Sequence, residues 1–524
     1  MICRVASIVG LAASLVLVAG PAAADPGTPE DRAALFDYLV DKTMQRGAFS
    51  DVKMRALDYD VHASMMAVRD AFLAADTDAA LYYALVKLSN ARHDRHLSVR
   101  PTEGGIAVPD DPDVAAPIRF HTDYATPGAY FLFVSDVARD IGALASGGRV
   151  PRIGDRLVAV NGQPADAYVA ALRPYHRYSS VNGFWQRMAP TVNEKKRFVP
   201  PSLYRADFTV TLQGADGKPY DLTVPYLPAD RIDWAGYDAR RYDGFELVDK
   251  RTTFDLYRHA GGRDVLIIAW HRFGGRLIED MDWLMATAAE NGWLDHDIIW
   301  DGTRSGGGSK GVYALQRLSP TPFKTTFGNL RISDITDDFV TAKVADIDTD
   351  AARDGGVTET VDAGQWLRDW LTNDVMNAIG AGQAYTNNVP FKSAHLPKWS
   401  DGIARPADVH FTGRMVCLLL PNGGSHLDQF AAMVIDNALC HAIGMPAGGY
   451  SNTWEWTEAV RFPISGRPVA AFMWNIGHTI RPNGQVLEGN PAAVDDYIPV
   501  TRDNFRAYYD ILLARAHDRL ALPK

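Results

Sequence analysis

The stretch LLLPNGGSHLDQF, residues 418–430, joins an apolar run to an amphipathic one through a turn of small residues. The apolar run, 415–420, is typical of a strand that is buried on both faces of a parallel sheet. A helix is predicted over 427–438, so Ser425 stands at the N-terminus of a helix that follows a buried strand. Backbone N–H groups and the helix dipole favour a negatively charged oxygen at such a position.

Two roles suit a serine at this position. Its hydroxyl can cap the helix by accepting a hydrogen bond from the first turn, and the local pattern alone favours this role. It can also serve as a nucleophile, provided that a base takes its proton and that donors hold the developing oxyanion. The rest of the chain therefore has to decide between the two roles.

Two further apolar runs, VLIIA at 265–269 and DIIW at 297–300, alternate with helical patterns. Together with 415–420 they predict an α/β core over 231–524. Within this core, 323–406 carries acidic runs and an amphipathic stretch, which favours an inserted surface subdomain.

The N-terminal part of the chain has a different character. Residues 1–24 combine Arg4, an apolar run and small residues before Asp25, which is typical of a secretory signal peptide. The alternative, an anchor helix, is disfavoured because the run is short for a membrane span. The mature chain is therefore expected to be exported, to the periplasm or the medium. Helix-spaced apolar residues then predict a helical cap over 25–105.

The region 106–230 has β character. The segment YFLFV at 130–134 predicts a strand, GDRLVAVNG at 154–162 predicts a strand that ends in an Asn-Gly turn, and two later strands flank Asp216-Gly217 as a hairpin. These segments resemble a PDZ domain. Within the region, 173–204 is longer than a PDZ loop requires, and its role stays open.

The overall composition excludes several classes of protein. With 524 residues, 47% hydrophobic and 22% charged, the chain is an ordinary globular protein with more than one core. Its net charge of -10 repels nucleic acid and anionic membranes, so neither is expected as a partner. No cofactor is expected. Cys417 and Cys440 can form a disulfide after export or stay as buried thiols.

Four blocks in a fixed order resemble the tricorn-like and C-terminal-processing (tail-specific) serine peptidases. They are DRH at 94–96, DIIWDGTRSGGGS at 297–309, the turn with Ser425, and RPNGQVLEG at 481–489, which leads to DDYIPV at 495–500. With the PDZ-like region between them, the resemblance covers nearly the whole mature chain. It implies a multidomain α/β fold with an N-terminal helical cap, a PDZ-like β domain and a crotonase-like α/β catalytic core.

The resemblance also implies the catalytic residues. Ser425 matches the nucleophile, and this superfamily takes its base either from a lysine downstream of the serine or from a histidine of the cap. No lysine lies between Lys398 and Lys524, so His96 and the histidine-using branch are favoured. An imidazole titrates near neutral pH, where a general base works. Glu488 matches the glutamate of the charge network.

The oxyanion hole is expected from backbone N–H groups of His426 and of Gly307 or Gly308. Two positions depart from the family pattern. Arg95 precedes His96 where the family has a serine, so another hydroxyl must relay the charge network or the network differs. Ser305 replaces an asparagine.

Three alternatives compete with this assignment. Ser309 in GGSKG matches the nucleophile elbow of α/β-hydrolases, which would make an esterase, but several residues separate it from its strand. His93 and His96 could hold zinc, although no HExxH motif occurs. His426 is a second choice as the base.

The sequence therefore predicts an exported serine peptidase that cleaves peptides or the C-terminal tails of proteins, with peptides or unfolded proteins as its substrates. The PDZ-like region would deliver substrate by adding an extended peptide at its sheet edge, along Tyr130, Phe131, Leu132 and Phe133. The rival from another class is a non-catalytic peptide-binding scaffold with the same fold.

Overall fold

A mixed sheet of seven strands organises the C-terminal half of the chain. The structure is a computed structural model that describes residues 25–237, 242–353, 358–390, 401–452 and 454–521, so the predicted signal peptide lies outside it. In spatial order the strands are Phe245–Lys250, Phe254–His259, Val265–Trp270, Asp297–Asp301, Met415–Leu419, His441–Gly444 and Asp496–Tyr497. The first three are antiparallel neighbours, and the pairs from Val265–Trp270 onward are parallel.

The central strands of this sheet are buried on both faces, as their continuous apolar runs predict. Leu266 and Ile268 face one layer, and Val265 and Ile267 face the other. The helices Leu277–Asn291, Gly311–Leu318 and His426–Asp436 cover the first face, and Tyr508–Ala521 covers the second. The loops that leave the carboxyl ends of the parallel strands therefore meet at one edge, where open α/β sheets place their functional groups.

Five helices form the N-terminal region: Pro29–Arg46, Ser50–Leu57, Val61–Met66, Arg69–Leu73 and Asp78–Asn90. Hydroxyl caps fix where the first and last begin, because Thr28 accepts the N–H of Asp31 and Thr77 accepts the N–H of Ala80. The sequence predicts a helical cap over 25–105, but its last helix ends at Asn90. The DRH block consequently lies in a loop that leads to the strand Val99–Arg100.

The β region contains a second sheet. In spatial order its main strands are Ile118–Asp123, Phe131–Val137, Arg156–Val160, Asp207–Gln213 and Pro219–Pro225, and the short strand Gln163–Pro164 pairs with the third of them. The predicted turns are confirmed: Asn161 and Gly162 have φ of 50° and 78°, and Gly217 has φ of 75°. The apolar pattern over 137–144 predicts a short helix, but the helix covers only Ile141–Leu144 because the preceding strand continues to Val137.

Smaller sheets tie the regions together. Val99–Arg100 pairs with Pro468–Asn475, which also pairs with Glu455–Arg461. The other short pairings join Val114–Ala115 to Leu227–Pro228 and Glu194–Lys195, Phe323–Lys324 to Ile403–Ala404, and Phe327–Gly328 to Val389–Pro390 and Thr479–Ile480. The expected mixed α/β architecture with several sheets is therefore confirmed.

The segment 323–406 packs against the N-terminal helices. Its helical elements are Thr336–Arg353, Thr358–Asp369, the π-helical turn Trp370–Val375, and Met376–Gly380. The Arg331 guanidinium donates to the carbonyl oxygens of Met44, Gln45 and Gly47, at the end of the first helix. In the segment 173–204, Val181–Met188 is a helix and Ala165–Leu172 precedes it. No described helix is long and apolar enough to cross a membrane.

Candidate active site

Ser425 has an unusual backbone conformation. It sits in the turn between the strand Met415–Leu419 and the helix His426–Asp436, with φ of 61° and ψ of -121°. Its side chain makes no capping hydrogen bond, so the capping role that the local pattern favours is not the one observed. The N–H of Ser425 donates to the carbonyl oxygen of Tyr450 at 2.7 Å, which fixes the turn. A non-glycine residue keeps such a strained conformation only where the surroundings enforce it.

The loop 302–310 approaches Ser425 closely. A Cβ built on Gly307 would lie 2.7 Å from the Ser425 Cβ and 3.0 Å from its Oγ, so only glycine fits there. A Cβ on Gly423 would lie 2.0 Å from the carbonyl oxygen of Ser305, so the two turns interlock without side chains. Among the described residues, the N–H groups of Gly307 and Gly308 have no acceptor. Both donors are therefore available, and Gly307 lies directly beside the Ser425 hydroxyl.

Ser309 lies in the same loop but lacks the features of an elbow. The strand Asp297–Asp301 and the helix Gly311–Leu318 are joined by the whole loop, whereas the elbow joins strand to helix at the nucleophile itself. Ser309 does not have a positive φ, and its Oγ lies beside Gly274. The esterase alternative is therefore poorly supported by geometry.

His96 and Ser425 share Tyr450 as a neighbour. The N–H of His96 donates to Asp94 Oδ1 at 3.0 Å, and Asp94 Oδ2 accepts from Asn475 Nδ2 at 3.1 Å, so Asp94 holds the loop. The imidazole meets the ring of Tyr450 edge-on, with centroids 5.1 Å apart. Its Nδ1 is buried and finds no hydrogen-bond partner in the described chain. No hydrogen bond joins His96 to Ser425 among the described residues.

Glu488 is buried in a network that sequence reasoning missed. Lys53, from the second helix, is fully buried, and its Nζ lies 3.2 Å from Glu488 Oε1. The same Nζ donates to the carbonyl oxygens of Arg92 and His93, at the base of the loop with His96. The N–H of Ser451 donates to Glu488 Oε2 at 3.1 Å. Burial, with Asp94 nearby, raises the pKa of the Glu488 carboxyl, and Lys53 partly opposes the rise.

A second hydroxyl joins this network to the loop with His96. The Ser179 hydroxyl lies close enough to Glu488 to oppose the rise of its pKa, and its Oγ accepts the N–H of Arg95 at 3.0 Å. The serine that the family pattern places at position 95 is absent, and a serine from the segment 173–204 lies near Glu488. No local sequence pattern identifies Lys53 or Ser179, because their neighbours in the structure are far away in the sequence.

Ser305, the second position that departs from the family pattern, is buried. Its Oγ donates to the carbonyl oxygen of Gly306 at 3.0 Å, which stabilises the loop locally.

Asp428 holds the opposite side of the site, because its two oxygens accept the N–H groups of Gly449 and Tyr450. Burial raises the pKa of Asp428 to about 7, although these two bonds oppose the rise.

The side chain of His426 is engaged elsewhere and does not suit a base. Its Nε2 accepts the N–H of Gly311 at 2.8 Å, which leaves the proton of the neutral ring on Nδ1. Burial lowers the pKa of His426 to about 3. Only the backbone N–H of His426, at the first position of its helix, remains a candidate for the oxyanion hole.

Replacing His426 with glutamine is expected to flatten the acid dependence of folding. The pKa of His426 in the folded chain lies below its ordinary value of 6.5, so the unfolded chain takes up a proton first as the pH falls. The stability that neutral His426 contributes is therefore complete above pH 6.5 and is lost as the pH falls toward 3. Between pH 7 and 4.5, the unfolding free energy of the wild type should fall by about 2 to 3 kcal/mol more than that of the variant. Urea titrations at both pH values measure this. Exposed His62→Gln is the control, and an equal pH dependence in wild type and His426→Gln would contradict the prediction.

The geometry does not support a zinc site at His93. Its ring is stacked on Tyr59, with centroids 3.9 Å apart, and its Nε2 lies 2.7 Å from the Tyr178 hydroxyl. Burial lowers the pKa of His93 to about 3, with Lys53 adding to the effect.

Cys417 and Cys440 are both free, and burial raises the pKa of the Cys417 thiol.

A cavity of about 370 Å³ lies beside the second sheet. Tyr130, Phe131 and Leu132 line it, together with Trp185 and the helix Ala165–Leu172. Phe133, which the sequence groups with them, is fully buried and packs against His121 and Phe505 instead.

Comparison with known proteins identifies relatives by structure only. No protein-family model and no curated protein sequence matches the chain. Mature CPAF aligns with a TM-score of 0.69 and 15% identity, over 94% of this chain and 98% of its own. Mature CPAF complexed with lactacystin aligns with a TM-score of 0.68 and 14% identity, over 94% of this chain and 99% of its own. A CPAF mutant aligns with a TM-score of 0.65 and 13% identity, over 93% of this chain and 96% of its own. These likenesses show a shared fold along nearly the whole of both chains.

Two proteases whose families the sequence blocks indicate also align, at lower scores. They are a photosystem II D1 C-terminal processing protease and the tricorn protease, each with a TM-score of 0.36, which by itself carries no argument. The comparisons therefore establish a fold that this chain shares with CPAF along nearly its whole length.

Proposed function

We propose that this chain is an exported serine-type peptidase that cleaves peptides or the C-terminal tails of proteins through an acyl-enzyme, with Ser425 as nucleophile and His96 as general base. The observation that carries the proposal is the conformation of Ser425, whose φ of 61° and ψ of -121° occur in a strand-to-helix turn without a capping bond. The nucleophile elbow of α/β-hydrolases uses the same device to expose its serine. The shared fold with CPAF agrees with this chemistry.

The proposed reaction is acyl transfer. Ser425 Oγ attacks the peptide carbonyl carbon while its proton passes to His96. Backbone N–H groups of Gly307 or Gly308 and of His426 hold the oxyanion. The C–N bond then breaks as His96 returns the proton to the leaving amine. Water repeats the sequence on the acyl-enzyme, which releases the acid and restores Ser425.

His96 must approach Ser425 for this reaction. We expect the loop 91–98 to close toward Ser425 when a peptide enters, because catalytic hydrogen bonds often form only in the complex. Asp94 positions the backbone of His96, Glu488 anchors the loop through Lys53, and Ser179 holds the N–H of Arg95. Glu488 would thus orient and polarise the base from a distance.

The proposed arrangement of domains follows the sequence: a cap over 25–105, a PDZ-like domain over 106–230, and a crotonase-like core over 231–524 with the insertion 323–406. The cavity lined by Tyr130, Phe131 and Leu132 supports a peptide-binding role for the PDZ-like domain. The expected export rests on residues 1–24 alone.

A fluorophosphonate probe tests the proposal. Treating the purified chain and mapping the adduct by mass spectrometry should find label on Ser425 in the wild type and none in His96→Ala. Label on Ser309 would favour an esterase. Label on neither serine, in a chain that still binds peptides, would favour the scaffold.

Gly307→Ala is expected to slow the labelling of Ser425 at least about a hundredfold, the usual cost of losing an oxyanion donor. The added Cβ would lie 2.7 Å from the Ser425 Cβ, so the loop with its N–H groups must shift. Labelling rates over a range of probe concentrations measure the effect. Gly380→Ala, where a Cβ meets no atom within 4 Å, is the control. Equal rates in Gly307→Ala and wild type would remove this loop from the oxyanion hole.

A further inference from the structure

Three arginines gather around Tyr450, next to the candidate nucleophile. The Arg95 guanidinium carbon lies 4.6 Å from the centroid of the Tyr450 ring. Arg177 and Arg187, from the segment 173–204, lie close enough to act electrostatically on the same tyrosine. Tyr450 in turn covers Gly424, because a Cβ built there would lie 2.1 Å from its ring. This arginine cluster (Arg95, Arg177 and Arg187) is therefore close to Ser425.

The arginine cluster has no carboxylate partner. None of its three members forms a salt bridge with a described residue, and Arg95 Nε is buried without a hydrogen bond. Arg177 donates to the carbonyl oxygen of Leu97 at 3.2 Å. Burial lowers the pKa of Arg187 to about 10, and the charges of Arg95 and Arg177 add to the effect.

The nearby acids are already occupied. Asp94 influences Arg177, and Asp428 influences Arg95, but only through space. Asp94 accepts bonds from the His96 N–H and from Asn475, and Asp428 accepts two backbone N–H groups. Neither carboxylate is turned toward a guanidinium within salt-bridge distance. The positive charge of the cluster is therefore not neutralised by the described chain.

A cavity of about 250 Å³ adjoins the arginine cluster. Arg177 and Arg187 line it together with Arg100 and Arg197, whose side chains are exposed at the surface. No aspartate or glutamate lines this cavity. His176 also lines the cavity. Burial lowers the pKa of His176 to about 3, so its ring is neutral at pH 7. The cavity therefore links the cluster to solvent with positive charge only.

We propose that the arginine cluster binds a carboxylate of the peptide substrate, so that acidic peptides are preferred. Like charges that are partly buried without a partner are costly, and a bound anion removes that cost. Guanidinium groups present paired donors that match the two oxygens of a carboxylate. The carboxylate belongs either to an Asp or Glu side chain or to a free C-terminus. This inference rests on the proposed peptidase function and names its substrate class.

Selection from a peptide pool tests the inference without turnover. A pool of random eight-residue peptides, half with free and half with amidated C-termini, is equilibrated with the full chain carrying Ser425→Ala, and the bound peptides are sequenced by mass spectrometry. Peptides with Asp, Glu or a free C-terminus should be enriched. Adding Arg177→Gln and Arg187→Gln should lower the enrichment about tenfold, the usual effect of losing a charge-assisted bond. Arg205→Gln, an exposed arginine outside the cavity, should leave it unchanged.

Each result decides the question. Enrichment of Asp and Glu identifies side chains as the source of the carboxylate, and enrichment of free C-termini alone identifies the chain end. The inference is overturned if the enrichment survives Arg177→Gln and Arg187→Gln, if neither acidic residues nor free C-termini are enriched, or if no peptide binds. The single variants Arg177→Lys and Arg187→Lys keep the test decisive if the double variant does not fold. Fluorophosphonate labelling of Ser425 in the parent chain reports separately on the proposed function.

Discussion

Replacing Ser425 with alanine is expected to lower kcat for peptide hydrolysis by on the order of a millionfold, the loss seen when a serine nucleophile is removed. The free energy of unfolding should change by less than about 0.5 kcal/mol, because the Ser425 side chain makes no hydrogen bond with a described residue. Alanine has the same backbone preferences as serine, so the turn keeps its strain. Hydrolysis of a quenched fluorescent peptide pool and urea unfolding measure the two quantities.

Ser309→Ala provides the matched control, since Ser309 lies in the neighbouring loop. It should keep nearly full activity. A Ser425→Ala variant that retains activity would exclude Ser425 as the nucleophile, and loss of activity in Ser309→Ala alone would move the nucleophile to that serine.

Replacing Lys53 with methionine is expected to destabilise the fold by about 3 to 5 kcal/mol. The substitution leaves Glu488 buried without its cation and leaves the carbonyl oxygens of Arg92 and His93 without the Nζ donor. An unsatisfied buried polar group costs about 1 to 3 kcal/mol each. Because the same contacts hold the loop with His96, peptidase activity should fall as well. Urea unfolding at pH 7 gives the free energy.

Lys42→Met is the control for this effect. Lys42 pairs with Asp334 at 2.8 Å, but both side chains are partly exposed, so its loss should cost no more than about 1 kcal/mol. The double variant Lys53→Met and Glu488→Gln should be more stable than the sum of the single losses predicts, because the two groups are coupled. Equal costs for Lys53→Met and Lys42→Met would contradict the buried network.

Local patterns predicted the parts of the fold that depend on neighbouring residues. The apolar runs at 265–269, 297–300 and 415–420 became strands buried on both faces. Asn161-Gly162 and Asp216-Gly217 became turns with positive φ, which glycine adopts without a steric penalty. Predictions were less accurate where tertiary pairing extended an element, as at Val137, which continues a strand instead of starting a helix.

The candidate site was only partly predictable. The order of the sequence blocks indicated Ser425, His96 and Glu488, and the structure places Tyr450 in contact with both the turn of Ser425 and the ring of His96. The sequence could not reveal Lys53 or Ser179, because a buried lysine in a helix looks like any surface lysine until its neighbours are known. It also could not show that Tyr450 stands beside His96, since ring packing depends on three loops at once.

By itself, the sequence determined that Ser425 follows a buried strand and begins a helix, because periodicity and small residues act over a few positions. Tertiary structure alone decided that this serine is strained and does not cap its helix. Gly307 contacts its side chain closely and Tyr450 accepts its N–H, and both come from distant parts of the chain. It also decided how charge is arranged around the site. Burial and long-range contacts set the partners of Glu488 and leave the arginine cluster unpaired, and neither property is encoded in any local pattern.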